Sequence, residues 1–231
     1  MYRRLFLAAS GALLLAAGTA FAGDSATFVN LGFSADGDIY MFAQYGVSSG
    51  GFRPWADLFV VDVARNDFVS GGRQSYVHEN PIVAGQSGAG AMHSLLARNA
   101  PLAERYGVVF PNQGQPLYVA LVDDPALANR PIDFRDFESG IDYHASLAET
   151  VEGSGAAARS SFVINLRRTG GNGTETFTVG SPNVRRAGVL SYRIRQVLVS
   201  PAGNSMIFVI EMQRAAGDTH DIRYMVEALR F

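Results

Sequence analysis

One stretch of this chain is written twice. Residues 31–43 (LGFSADGDIYMFA) return as residues 197–209 (VLVSPAGNSMIFV), at a constant offset of 200 − 34 = 166 positions. In each copy an apolar run ends at a serine, a tight turn follows with Gly37 or Gly203, and a second run of bulky apolar residues leaves the turn. Glycine reaches positive φ without the clash a Cβ would bring, so each copy reads as a β-hairpin. The agreement continues without a gap. Leu58-Phe59-Val60-Val61-Asp62-Val63 falls on Tyr224-Met225-Val226-Glu227-Ala228-Leu229, which predicts a third strand in each unit. The intervening loops, 46–56 and 212–221, also coincide. Such self-similarity marks one supersecondary unit used more than once. A fainter copy at residues 109–120 places Phe110, Gly114 and Ala120 on Phe33, Gly37 and Ala43.

Elsewhere the pattern is also mostly β. Residues 161–166 and 174–179 flank the turn-forming Gly170-Gly171-Asn172-Gly173 and alternate polar with apolar residues, a second hairpin. Residues 89–106 break the rule. Met92, Leu95, Leu96, Leu102, Ala103 and Tyr106 recur at helical spacing, Ser87 precedes them as an N-cap and Gly107 follows as a stop. Asn99 and Pro101 divide this segment into two short helices. Residues 123–155, rich in Pro, Asp and Gly, read as irregular connection with one strand around 141–147.

The first 22 residues have the layout of a signal peptide: Arg3 and Arg4, an apolar core from Leu5 to Ala17, and an Ala20-Phe21-Ala22 cleavage site. That core is shorter than the roughly 18 to 20 residues needed to cross a bilayer, so no transmembrane segment is expected to be retained. Cleavage would leave 231 − 22 = 209 residues, enough for one domain with a substantial core. The expected domain, residues 23–231, is mainly β: antiparallel hairpins in propeller-like repeat units or in a curved sandwich or barrel, with a short helical insertion near residues 89–106.

Two resemblances bear on this reading. A strand, an S-P-D-G-like turn, an apolar strand and a further strand ending in an apolar-Asp-apolar pattern resemble the repeat of TolB-type β-propellers. Ser34-Ala35-Asp36-Gly37 with Val60-Val61-Asp62-Val63 carries that likeness, and Ser200-Pro201-Ala202-Gly203 part of it. Propeller blades recur every 40 to 50 residues or so, and these copies lie further apart. Over its length the chain also resembles a family of predicted secreted bacterial proteins classed as a domain of unknown function. Asn30-Leu31-Gly32-Phe33-Ser34, Gln44-Tyr45-Gly46-Val47 and Tyr192-Arg193-Ile194-Arg195 carry this second likeness. It implies export to the periplasm or beyond the cell, and transfers no residue roles.

Composition narrows the chemistry. With no cysteine there are no disulfides and no thiol sites, and all 19 basic residues are arginine, so lysine-based mechanisms are excluded as well. A formal charge of −2, with arginines scattered in ones and twos, gives no footprint for nucleic acid. Gly85-Gln86-Ser87-Gly88-Ala89 lacks the last glycine of a nucleophile elbow, and its serine reads as a helix cap. His78, His93, His144 and His220 have no metal-binding spacing. Asp133, Asp136, Glu138 and Asp142 lack the register of a calcium loop. No catalytic residue, metal ligand or cofactor is therefore expected. The best candidate binding surface is the glycine-rich loop after Tyr45, with Phe52, Arg53 and the single tryptophan, Trp55, joined through the repeat by His220 and Asp221. The expected function is a non-catalytic envelope protein that binds another protein or a small ligand. The alternative is a periplasmic hydrolase whose histidine and carboxylates come together from distant loops.

Overall fold

The two glycine turns close alike. In a computed structural model, which describes residues 23–121, 130–171 and 173–231, the Gly37 N–H donates to the Ser34 carbonyl at 3.0 Å and the Gly203 N–H to that of Ser200 at 2.9 Å. Gly37 and Gly203 have φ of 74° and 68°, where a side chain would be strained. The turns also touch. The Asn204 side chain donates to the Asp36 carbonyl at 3.1 Å, and the Ser205 hydroxyl to the Gly37 carbonyl at 3.2 Å.

Around these turns the described residues form three four-stranded antiparallel sheets. The N-terminal sheet is a meander of β1 (Thr27–Phe33), β2 (Ile39–Val47), β3 (Pro54–Asp62) and β4 (Asp67–Val77). After α1 (Ala89–Arg98) and α2 (Ala100–Arg105), β5 (Gln115–Val119) joins the central sheet as an edge strand. The third sheet is a meander of β6 (Ile132–Asp136), β7 (Ile141–Glu152), β8 (Arg159–Gly170) and β9 (Gly173–Ala187). The chain then completes the central sheet with β10 (Val189–Val199), β11 (Ser205–Ala216) and β12 (Thr219–Arg230), in the order β12-β11-β10-β5.

The repeat survives in the pairing. Phe33 pairs with Tyr40 and Val199 with Met206, the same register in both units. The second hairpins differ. Ile39 pairs with Asp62, whereas Ser205 pairs with Arg230, two residues beyond the position the repeat implies. A shift of two keeps every side chain on its own face, because the strand period is two. It arises because β11 runs into β12 through only Gly217 and Asp218, so the long loop expected over 212–221 is a tight hairpin instead.

The sheets stack in layers, as a sandwich. Phe33, Tyr40 and Phe42 of the N-terminal sheet pack against Leu198, Ile207 and Val209 of the central sheet. Val199, Met206 and Phe208, the repeat partners of those first three residues, point the other way and pack against Phe162, Ile164 and Leu166 of the third sheet. Covered on both faces, β11 is buried continuously over Ser205–Ile210, and its sequence is apolar without alternation from Met206 to Ile210. Each fully buried large side chain contributes about 1.5–3 kcal/mol. Ala91, Met92 and Leu95 of α1 cover the remaining face of the N-terminal sheet. Repeated faces thus point in one direction along the stack, with helices at one end.

Other expectations meet corrections. The faint third copy is not a hairpin: Val108 bridges to Ser34 in the N-terminal sheet, while β5 pairs with β10 in the central one. Residues 123–155 hold β6 and a long β7 rather than one short strand, although residues 122–129 lie outside the described ones. The expected signal peptide, residues 1–22, also lies outside them. The expected helix break appears between α1 and α2, but the N-cap of α1 is Gly88 rather than Ser87, whose hydroxyl lies one residue earlier and accepts from the Ala89 N–H at 3.2 Å.

Candidate functional site

The loop singled out in the sequence divides its residues among different environments. Trp55, 8% exposed, sits at the start of β3 and donates its indole N–H to Asp24 Oδ2 at 2.6 Å. Arg223 of β12 lies over the indole, 4.2 Å from the ring centre, and donates to the same oxygen at 2.9 Å and to the Asp24 carbonyl at 3.0 Å. Asp221 accepts from the Asp24 N–H at 2.8 Å and stands 3.6 Å from Arg223. Burial pushes the Asp24 carboxyl above its ordinary value; Arg223 and the indole N–H oppose the rise and Asp221 adds to it. Trp55 and Asp221 therefore meet, as parts of a closed latch that holds the segment before β1 against β12. Gly23 belongs to this latch, since a Cβ there would lie 1.6 Å from the His220 carbonyl oxygen.

The remaining candidates lie elsewhere. Tyr45 packs on the helix-covered face of the N-terminal sheet, opposite to the face Trp55 uses. Phe52 is 47% exposed, Arg53 is exposed at the same loop, and His220 is exposed on β12. Arg223 and Asp24 were not among the candidates. Arg223 was reachable, being two residues after Asp221 and so on the same strand face.

Two of the histidines, His144 and His78, and two of the acids, Asp136 and Asp142, are engaged locally. His144 Nδ1 lies 2.7 Å from Asp133 on the surface of the third sheet, and His78 Nδ1 lies 3.0 Å from the Asn80 carbonyl. Asp142 pairs with Arg135 at 3.3 Å. Burial raises the Asp136 carboxyl, but the Ser139 hydroxyl and the Glu138 and Ser139 N–H groups outweigh it and hold it below its ordinary value. Among the described residues, no three His, Asp or Glu side chains converge as a metal site.

A different place has the shape of a site. Where the N-terminal sheet, β9 and the last two strands of the central sheet come together, a cleft of about 500 Å³ opens. Phe59, Phe68, Val184, Met212 and Met225 form its apolar lining, and Arg73, Arg186, Arg214 and Arg223 reach it from four different strands. Beside it lies a recess of about 430 Å³ that shares Phe68, Val184, Arg186 and Met225 and ends at Glu227.

The chain belongs to the DUF2259 family. Its family model, described as "Predicted secreted protein", matches residues 41–230, which include every residue lining the cleft. Comparisons with curated proteins and with solved structures return no match. Among the described residues, no helix is long and apolar enough to cross a membrane.

Charge is distributed unevenly over this DUF2259 cleft. In the recess, Glu227 is 5% exposed, accepts from the Asn66 side chain at 2.5 Å and pairs with Arg186 at 3.3 Å. Asn66, in a left-handed conformation with φ of 48° that asparagine tolerates, also accepts from the Ala228 N–H at 2.6 Å. One carboxylate thus ties all three sheets together. Burial pushes the Glu227 carboxyl up, against the pull of Asn66 and Arg186. In the cleft itself Asp57 is held by the Gln44 amide at 3.1 Å and the Ser75 hydroxyl at 2.7 Å, and Arg223 is engaged in the latch. Arg73 lies over the Phe68 ring at 5.1 Å, and among the described residues neither Arg73 nor Arg214 forms an ion pair.

Proposed function

We propose that this DUF2259 protein is an exported, non-catalytic binding protein of the bacterial envelope, and that it takes a small ligand in the cleft between its sheets. One observation carries the reading: an open cleft of about 500 Å³ in which apolar side chains and six polar ones, Gln44, Asp57 and four arginines, converge from separate strands. That is the common form of a small-molecule site, where the apolar lining gives affinity and the polar groups give orientation. The charged groups there suit holding rather than turnover. Guanidinium stays protonated and cannot act as a base, and Asp57 already accepts two hydrogen bonds.

The test uses the apolar anionic dye anilinonaphthalene sulfonate and the mature protein. The dye is expected to gain fluorescence with the wild type and not with a variant whose cleft is filled by Met212→Trp, the two proteins having equal thermal midpoints. Equal dye binding by both would overturn the reading.

The proposal includes processing after Ala22 and residence in the periplasm. The signal-peptide layout of residues 1–22 and the family's description as a predicted secreted protein support it. Intact mass of the protein from the periplasmic fraction is expected to begin at Gly23. A mass that retains residues 1–22, or recovery only from the culture medium, would refute that part.

A further inference from the structure

We infer that the ligand is a single-chain amphiphile with an oxyanion headgroup, held by Arg73 and Arg214 while its chain lies along the apolar lining. This rests on the cleft being a ligand site, and adds what that ligand must look like.

The headgroup follows from the charge that is left over. The processed chain is acidic overall, yet four guanidiniums and one carboxylate face the cleft. Arg223 has Asp24 and Asp221, and Arg186 has Glu227, so those two are neutralised within the fold. Arg73 on β4 and Arg214 on β11 belong to different sheets and form no ion pair among the described residues, and Asp57, the one carboxylate of the lining, is taken up by Gln44 and Ser75. Two unpaired guanidiniums beside low-dielectric walls concentrate positive potential between them. A carboxylate or phosphate accepts from both in charge-assisted hydrogen bonds, in the planar geometry guanidinium favours.

The apolar body follows from the lining. Phe68 is 37% exposed and Val184 51% exposed at the rim, large apolar side chains that a chain entering the cleft would cover. Met212 and Met225 line the floor, and their unbranched thioethers adapt to a flexible chain better than to a rigid ring system. The recess beyond holds the Glu227–Arg186 pair and is also lined by Arg65 and Asp67, so its charges are of both signs and form no cluster of positive charge for a second headgroup.

The experiment is calorimetric titration of the mature wild-type protein and of a double variant, Arg73→Gln with Arg214→Gln, with dodecanoate, dodecyl phosphate, dodecanol and acetate. Both arginines are exposed, and circular dichroism verifies that the variant keeps the wild-type fold. The expected result is that at least one of the two dodecyl anions binds the wild type and binds the variant about tenfold to a hundredfold more weakly, the loss typical of charge-assisted contacts. Dodecanol is expected to bind both proteins alike, and acetate neither. Which anion binds more tightly identifies the oxyanion as carboxylate or phosphate. As a second reading, added salt should weaken the anion and leave dodecanol unchanged. Anion binding that is equal in wild type and variant would overturn the headgroup while leaving the cleft as a site. Failure of all three dodecyl compounds to bind would overturn the cleft itself.

Discussion

Replacing Tyr40 with phenylalanine should stabilise this protein. Tyr40 is fully buried between the N-terminal and central sheets, with its ring 4.6 Å from that of Phe33 and 6.1 Å from that of Phe42. Its hydroxyl has no hydrogen-bond partner, and burial pushes its ionisation far above the usual tyrosine range. An unpaired buried hydroxyl costs about 1–3 kcal/mol of lost hydration. Phenylalanine keeps the ring and its stacking, and leaves a void the size of one oxygen. At about 24 cal/mol per Å³, a void of about 12 Å³ costs only about 0.3 kcal/mol. The net expectation is a gain of about 1–2.5 kcal/mol, which for a domain of this size raises the thermal midpoint by about 2–10 °C. Differential scanning calorimetry of both proteins at one pH and one concentration reads it directly. A midpoint that falls by 2 °C or more would refute the reasoning, because the hydroxyl would then be making an interaction that this packing does not contain.

Trp55→Phe removes the N–H that reaches Asp24 while keeping most of the buried ring, and should cost about 1–3 kcal/mol in urea unfolding followed by circular dichroism; an unchanged urea midpoint would show that Arg223 alone holds that carboxylate. Glu227→Gln tests the junction of the three sheets through pH. Burial holds the folded Glu227 above its ordinary 4.5, so the folded protein binds this proton more tightly than the unfolded chain does. The stability this adds is complete below 4.5 and is lost as pH rises through the folded value. The wild-type stability, relative to the glutamine variant, should therefore fall as pH increases above 4.5, and a difference that stays flat or rises would contradict it. Gly23→Ala should detach residues 23–26 without unfolding the domain. The Ile222 N–H, which donates to the Asp24 carbonyl at 2.9 Å, would lose protection in hydrogen exchange while β11 keeps its own; retained protection at Ile222 would show that the segment tolerates a side chain.

The sequence makes the turns and the strands beside them legible because their chemistry is local. Ser34, Gly37 and Ile39 satisfy one another within five residues, and Ser200, Gly203 and Ser205 do the same, so the pattern needs no distant partner to be recognised. The hairpin of β8 and β9 and the two helices are encoded at similarly short range. Strand β4 escapes because Gly71 and Gly72 interrupt it and most of its side chains face solvent. No apolar alternation results, and its place is decided by pairing with β3. β6 is equally inconspicuous, since Asp133 and Arg135 occupy its exposed positions.

The candidate site divides along the same line. Trp55 stands out in composition, yet its exposure depends on Asp24 and Arg223, which lie 31 and 168 positions away. The arginines of the cleft look alike in the chain. What distinguishes Arg73 and Arg214 from Arg186 and Arg223 is only which of them found a carboxylate in space. The glycine turns, the hairpins closed by them and the helices are determined by the sequence alone, because their backbone hydrogen bonds and φ preferences act between near neighbours. The stacking order of the sheets, the burial of Trp55 and the positive charge left in the cleft are decided only by the tertiary structure, because burial and ion pairing depend on distance through space, which separation along the chain does not specify.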